Sequence, residues 1–259
     1  MKRSLVDYQG QLLEVQEKRP KLSKRLVRPD GFDFKKLCDI TGHNFGISEV
    51  GVSPSEFEDR FNRLLQRIKR LLPGLEKNVI LPGLLPPSVN SELEPEAEDD
   101  ITCNIPFYFD VVRRGYGSVY SRRRIVAPYS KSDSMPGVDV RKKTGHIRFV
   151  NRKKWLVFAY IADCMRHLTV EKQKSPPIQL VKAGFSVAGI YDGFSILALH
   201  PKVLAKNHVC PDIDYPGVYL VNPFRAVPYD NALVIERIRN NKDSDIDLVD
   251  RSSGALTFY

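Results

Sequence analysis

The chain has no CxxC pair, no glycine-rich phosphate loop, no nucleophile elbow and no apolar run beyond the eight residues Trp155 to Ala162. Each absence excludes something. A bilayer span needs about 20 apolar residues, so no transmembrane helix is expected. The charged N-terminus lacks the apolar core of a secretory leader, so none is expected there. The four cysteines, Cys38, Cys103, Cys164 and Cys210, lie far apart. A disulfide framework needs denser usage, so reduced thiols in the nucleus or cytoplasm are expected.

Catalytic and metal motifs are missing too. Gly184-Phe185-Ser186-Val187-Ala188-Gly189 has one residue too many for G-x-S-x-G. Lys143-Thr144 lacks the glycines of a P-loop. Three Cys/His pairs exist: Cys38 with His43, Cys164 with His167, and His208 with Cys210. None has the paired tight spacing of a zinc site, and no metal or other cofactor is expected. The Asp243, Asp245, Asp247 run lacks the glycine and the closing glutamate of a calcium loop. Asp110, Asp139, Asp163, Asp212, Asp214 and Glu236 are the acids a metal-dependent nuclease would draw on, but no spacing singles out a set.

What the sequence does have is unevenly placed positive charge. The net charge is +9. Residues 1–87 carry 16 Lys/Arg against 11 Asp/Glu, net +5. Residues 88–100 carry six acids and no base. Residues 101–174 carry 16 bases against five acids, net +11, and residues 175–259 are close to neutral at −1. Four clusters dominate the central block: Arg113-Arg114, Arg122-Arg123-Arg124, Arg141-Lys142-Lys143 and Arg152-Lys153-Lys154. Phe107, Tyr108, Phe109, Tyr116, Tyr120, Tyr129, Phe149 and Trp155 stand around them. Bases neutralise phosphates and exposed aromatics stack on unpaired bases, so nucleic acid, single-stranded by preference, is the expected partner. The same charges would attract anionic lipid headgroups.

Four regions are expected. Residues 1–52 read as a flexible basic arm. Within it Lys18, Arg19, Lys21, Lys24 and Arg25 form a proline-extended basic run that an import receptor would read. Residues 53–81 read as an amphipathic helix region. Ser53, Pro54 and Glu56 make a capping-box start. Phe57, Phe61, Leu64, Leu65, Ile68, Leu71 and Leu72 then fall on one face, with Arg60, Arg63, Arg67 and Arg70 beside them. That face is expected to pack on the core, self-association being the alternative. Residues 82–100 read as a Pro-rich, acidic linker.

Residues 101–259 read as the basic body, a mostly antiparallel β-sheet with one long helix, so the fold class is α+β. Strands are expected at 105–112, 116–120, 125–129, 146–150, 178–181, 185–191, 194–199, 218–221, 232–238 and 246–249. Asp192-Gly193 reads as a hairpin turn. The long helix is expected from Asn151 to about Glu171, with strand competing for its first half. The layout of basic arm, acidic linker and basic body is similar, as layout alone, to small viral structural proteins such as matrix and coat proteins.

Three functions follow as expectations. The first is a non-enzymatic nucleic-acid-binding structural protein, found in nucleus and cytoplasm, or in host cell and virion if viral. The second is a viral matrix-like scaffold on anionic membrane. The third is a nucleic-acid-processing enzyme such as a metal-dependent nuclease.

Overall fold

A computed structural model describes residues 26–87, 105–126, 152–166, 173, 178–207, 210–215, 224–237 and 252–259. The helices are α1 (Phe34–Phe45), α2 (Pro54–Leu71), α3 (Ile105–Val119), α4 (Ile178–Lys182), α5 (Ile190–Leu199) and α6 (Pro201–Leu204). The strands are β1 (Val79–Leu85), β2 (Arg124–Val126), β3 (Leu156–Arg166), β4 (Phe185–Val187), β5 (Asp212–Tyr215), β6 (Phe224–Pro228), β7 (Ala232–Arg237) and β8 (Ser252–Phe258). The fold is α+β with a mostly antiparallel sheet, ordered β1-β3-β8-β5-β6-β7-β2, and β4 pairs with β8 off that path. Two pairings are parallel, β5 with β8 and β2 with β7.

Strand β3 divides the core. Phe158, Tyr160 and Ala162 point to one face, where α5 packs and α3 joins the same hydrophobic cluster. Val157, Ala159 and Ile161 point to the other, where α2 packs. A strand buried on both faces is apolar at nearly every position, so any periodicity fits it. That is why the helix expected from Asn151 is instead β3. The spacing of Trp155, Phe158, Ala162 and Met165 is incidental to a continuous apolar run. A bulge between Ile161 and Met165 shifts the pairing with β8, and Asp163 there has φ +61°.

The strand expected at 105–112 and the one at 116–120 are both part of α3. Aromatic and β-branched residues suggested strands, but Tyr108, Phe109, Val111, Val112 and Tyr116 are buried at helical spacing. Tertiary burial outweighs the local preference. Gly115 makes the closest approach to α5, where a Cβ would lie 2.2 Å from the Ala198 carbonyl oxygen.

Asp192-Gly193 is not a hairpin. Asp192 sits in the first turn of α5 and accepts the Gly189 N–H at 2.9 Å. Gly193 is small because Tyr215 lies against it. All ten residues of α5 are buried, which erased the amphipathic signal. The strand expected at 185–191 therefore stops at Val187, and the one at 194–199 is helix. The strand expected at 178–181 is α4. Strand β7 falls where expected, and β2 begins where expected. The strands expected at 146–150, 218–221 and 246–249 lie outside the described residues.

Helix α2 occupies the expected span. Ser53 caps it by accepting the Glu56 N–H at 3.2 Å. Glu56 itself pairs with Arg60 at 2.5 Å, so its carboxylate serves the helix surface. Phe57, Phe61, Leu64 and Ile68 are buried, so the apolar face is core. Two expected boundaries shift. Helix α1 lies inside the stretch read as a flexible arm, capped by Asp33 and ended by Gly46 at φ +69°. Strand β1 takes the first residues of the stretch read as a linker. Pro82 is tolerated because β1 is an edge strand. Buried His200 donates Nε2–H to the Pro82 carbonyl at 2.8 Å, covering that edge. Burial lowers this imidazole to about 4, so it is neutral.

Candidate nucleic-acid interface

Helix α3 organises the described basic clusters. Its 15 residues are about 22 Å long. Asp110, Arg113 and Ser118 are exposed along it. Arg113 Nη1 meets Asp110 Oδ1 at 2.7 Å, with both side chains more than half exposed. Such a surface pair contributes about 0–1 kcal/mol, so Arg113 can exchange Asp110 for a phosphate at little cost. Arg114 is half-buried. It donates Nε–H to the Asp110 carbonyl and stands 5.9 Å above the Phe107 ring. Gly46, whose αL turn ends α1, leaves room for its guanidinium.

After α3 the chain turns through Arg122 and Arg123 into β2. Arg122 and Arg124 are exposed. Arg123 is half-buried: it stacks 4.1 Å over Tyr120 and donates to the Lys206 carbonyl. At the other end of α3, Arg152 donates to the Pro86 carbonyl at 2.5 Å and to the Tyr108 hydroxyl at 2.8 Å. Its guanidinium lies 5.9 Å from the centre of the Tyr191 ring. Arg152 therefore ties β1 to α3, while Lys153 and Lys154 beside it are exposed.

Three of the four expected clusters thus lie on α3 or next to one of its ends. Lys153 and Lys154 lie by its beginning, Arg113 on its surface, and Arg122 and Arg124 beyond its end. At about 3.4 Å per phosphate along one strand, the length of α3 matches about six phosphates. The cluster Arg141, Lys142, Lys143 and the import run Lys18, Arg19, Lys21, Lys24 and Arg25 lie outside the described residues.

Among the described residues the aromatics do not form the expected stacking platform, and Trp155 is half-buried against the cluster under α2. Tyr108, Phe109 and Tyr116 are buried in the core. Phe107 and Tyr120 are half-buried under Arg114 and Arg123. Tyr129 and Phe149 lie outside the described residues. Alternation cannot show which aromatics of a helix face inward, and these had been read as strand.

Charged groups inside the core escaped sequence reading altogether. Asp214 meets Arg225 at 2.6 Å, and Gln173 donates to the other Asp214 oxygen at 3.2 Å. Asp192 is fully buried and accepts from Gly189 and Thr257. Burial raises its carboxyl to about 6. Burial also raises the nearby Tyr160 and Tyr215 phenols well above their usual value, with the Asp192 charge adding to it. The only prior sign was an acid within an otherwise apolar stretch. These groups are closed off from solvent and do structural work. Among the described residues, no three His, Cys, Asp or Glu side chains are placed to hold a metal ion. Nor is any described helix long and apolar enough to cross a membrane.

Comparison with protein-family models, curated proteins and solved structures finds no match for this chain.

Proposed function

We propose that the protein is a non-enzymatic nucleic-acid-binding structural protein that grips a phosphate backbone along α3. The observation that carries this reading is the placement of exposed Arg113 on α3, of Arg122 and Arg124 just beyond its end, and of Lys153 and Lys154 next to Arg152, which bonds Tyr108 in its first turn. Phosphate contact supplies most non-specific affinity and needs no stacking platform. With the aromatics largely enclosed, the preference for single strands rests on reach alone. Entry to the nucleus through Lys18, Arg19, Lys21, Lys24 and Arg25 belongs to the same proposal, as does a role in a viral particle.

Fluorescence titration of a labelled oligonucleotide over a salt series tests it. Replacing Arg113, Arg122, Arg124, Lys153 and Lys154 with Gln should weaken binding. It should also flatten the log–log salt slope by about 0.7 per lost contact on a single strand. Unchanged affinity and slope would overturn the reading. Import is tested in the full chain by changing the five residues of the basic run to Ala and imaging nuclear accumulation.

The matrix-like alternative would bind vesicles through the same charges. It has less support, because the apolar face of α2 that would insert or self-associate is buried against β3.

A further inference from the structure

We infer that α2 carries a second phosphate-binding surface, on the opposite side of the sheet from α3, so that one chain holds two separate segments of nucleic acid. The inference rests on the proposed function and extends it to a site outside the four clusters.

Arg60, Arg63, Arg67 and Arg70 recur at intervals of three and four residues, which puts them along one side of α2. All four are exposed. The acids of α2, Glu56, Glu58 and Asp59, all lie in its first two turns. Arg60 is tied to Glu56 there. Beyond it no acid occurs until Glu76, whose carboxylate accepts the Gly74 N–H at 2.6 Å. Arg63 donates Nε–H to the carbonyl of Asp59, one turn before it. The last two turns then present Arg67, Lys69 and Arg70 without an acid three or four residues away on their own helix. Compensation of the helix dipole explains a basic last turn, but its effect fades within that turn. It does not explain Arg67, which precedes that turn.

The packing gives the stripe a firm base. The Arg67 guanidinium stacks 4.9 Å over Phe258. A stacked guanidinium keeps its N–H fork in the ring-parallel plane, free to meet a planar or tetrahedral anion from the side. The same Phe258 ring is approached by Gly184, two residues after Lys182. Lys182 is exposed at the end of α4. Arg67 therefore brings positive charge to the rim of one buried ring, and Lys182 ends a helix two residues before a backbone that meets the same ring.

The two surfaces are independent. Helix α2 packs on one face of β3, and α3 packs on α5, which covers the other face, in a separate hydrophobic cluster. Two helix layers around a sheet put their outer surfaces about 30 Å apart. The Debye length at 0.1 M salt is about 10 Å, so neither surface feels the other. A three-nucleotide strand is about 10 Å long when stacked and no more than about twice that when fully extended, so it cannot reach both.

The test is a stoichiometric titration of the full chain with a labelled three-nucleotide single strand at low salt. Sedimentation checks that the protein stays monomeric. Wild type should bind two strands. The α2 variant R63Q/R67Q/R70Q should bind one, and R63K/R67K/R70K should restore the second. The α3 variants should also bind one, through α2. One strand bound by wild type and by the α2 variant with equal affinity overturns this inference and leaves the proposed function standing. Two strands bound by both overturns it as well, since the second site then lies elsewhere. No binding by wild type overturns both. Unchanged melting temperatures separate loss of contact from loss of fold.

Discussion

Thr257 of β8 donates its hydroxyl to Asp192 Oδ2 of α5, so a carboxylate deep in the core fastens a helix to an interior strand of the sheet. The other Asp192 oxygen accepts the Gly189 N–H. The bonds favour the charged form, but burial outweighs them and the carboxyl rises from 3.8 to about 6.

That rise fixes the sign of a pH effect. Between about pH 4 and 6 the folded chain holds a proton on Asp192 that the unfolded chain has released. Stability from this group is therefore full at low pH and falls as pH rises to about 6, by about 3 kcal/mol in all. Asp192→Asn keeps an acceptor for Gly189 and removes the titration. The variant should gain stability over wild type as pH rises from 4 to 6, then hold a constant difference. Urea midpoints at half-unit pH steps would show it. Parallel curves across that window would refute it.

Two glycines of α3, two residues apart, should respond in opposite directions. A Cβ on Gly115 would collide with the Ala198 backbone, and backbone cannot swing aside. Gly115→Ala should cost about 1–3 kcal/mol or more by forcing α3 from α5. A Cβ on Gly117 meets nothing within 4 Å. Gly117→Ala should stabilise by about 0.5–1 kcal/mol through helix propensity. Thermal melts of the two variants decide it.

The buried pair Asp214 and Arg225 should show strong coupling. Arg225→Met leaves Asp214 as a buried charge and should cost about 3–5 kcal/mol. Asp214→Leu strands Arg225 in the same way. The double variant removes both charges, so its cost should fall well short of the sum. Denaturant curves for the four proteins complete the cycle, and additive costs would disprove the coupling.

Adjacent residues of the last basic cluster should separate stability from binding. Arg152 bonds the Pro86 carbonyl and the Tyr108 hydroxyl. Arg152→Gln should lower the melting temperature. Lys153→Gln with Lys154→Gln should leave it unchanged and weaken oligonucleotide binding. Equal loss of stability in both would mean the cluster is structural throughout.

Local rules were readable where chemistry and burial agree. The start of α2 was marked by Ser53 and Pro54, and its alternating faces gave its orientation on the core. Helix α5 and strand β3 were not readable, and for one reason. Both are buried all round, so neither shows the polar face that sets a period. In α3 the residues favour strand, and only contacts with α5 and α1, distant in sequence, make it helix. The basic clusters were visible as charge. Their placement on α3 and next to its two ends was not, nor was the use of Arg152 as a tie, because both depend on where β1 and β3 bring the chain back.

Strand β8 has one further consequence, for synthesis. It lies between β3 on one side and β4 and β5 on the other. Until residues 252–258 leave the ribosome, β3 and β5 are open edges separated by a missing strand. The half of the sheet made first must wait, exposed to pairing with other chains, for a segment made some 90 residues after β3. Slow translation or truncation near residue 250 should therefore yield aggregates rather than a smaller folded core.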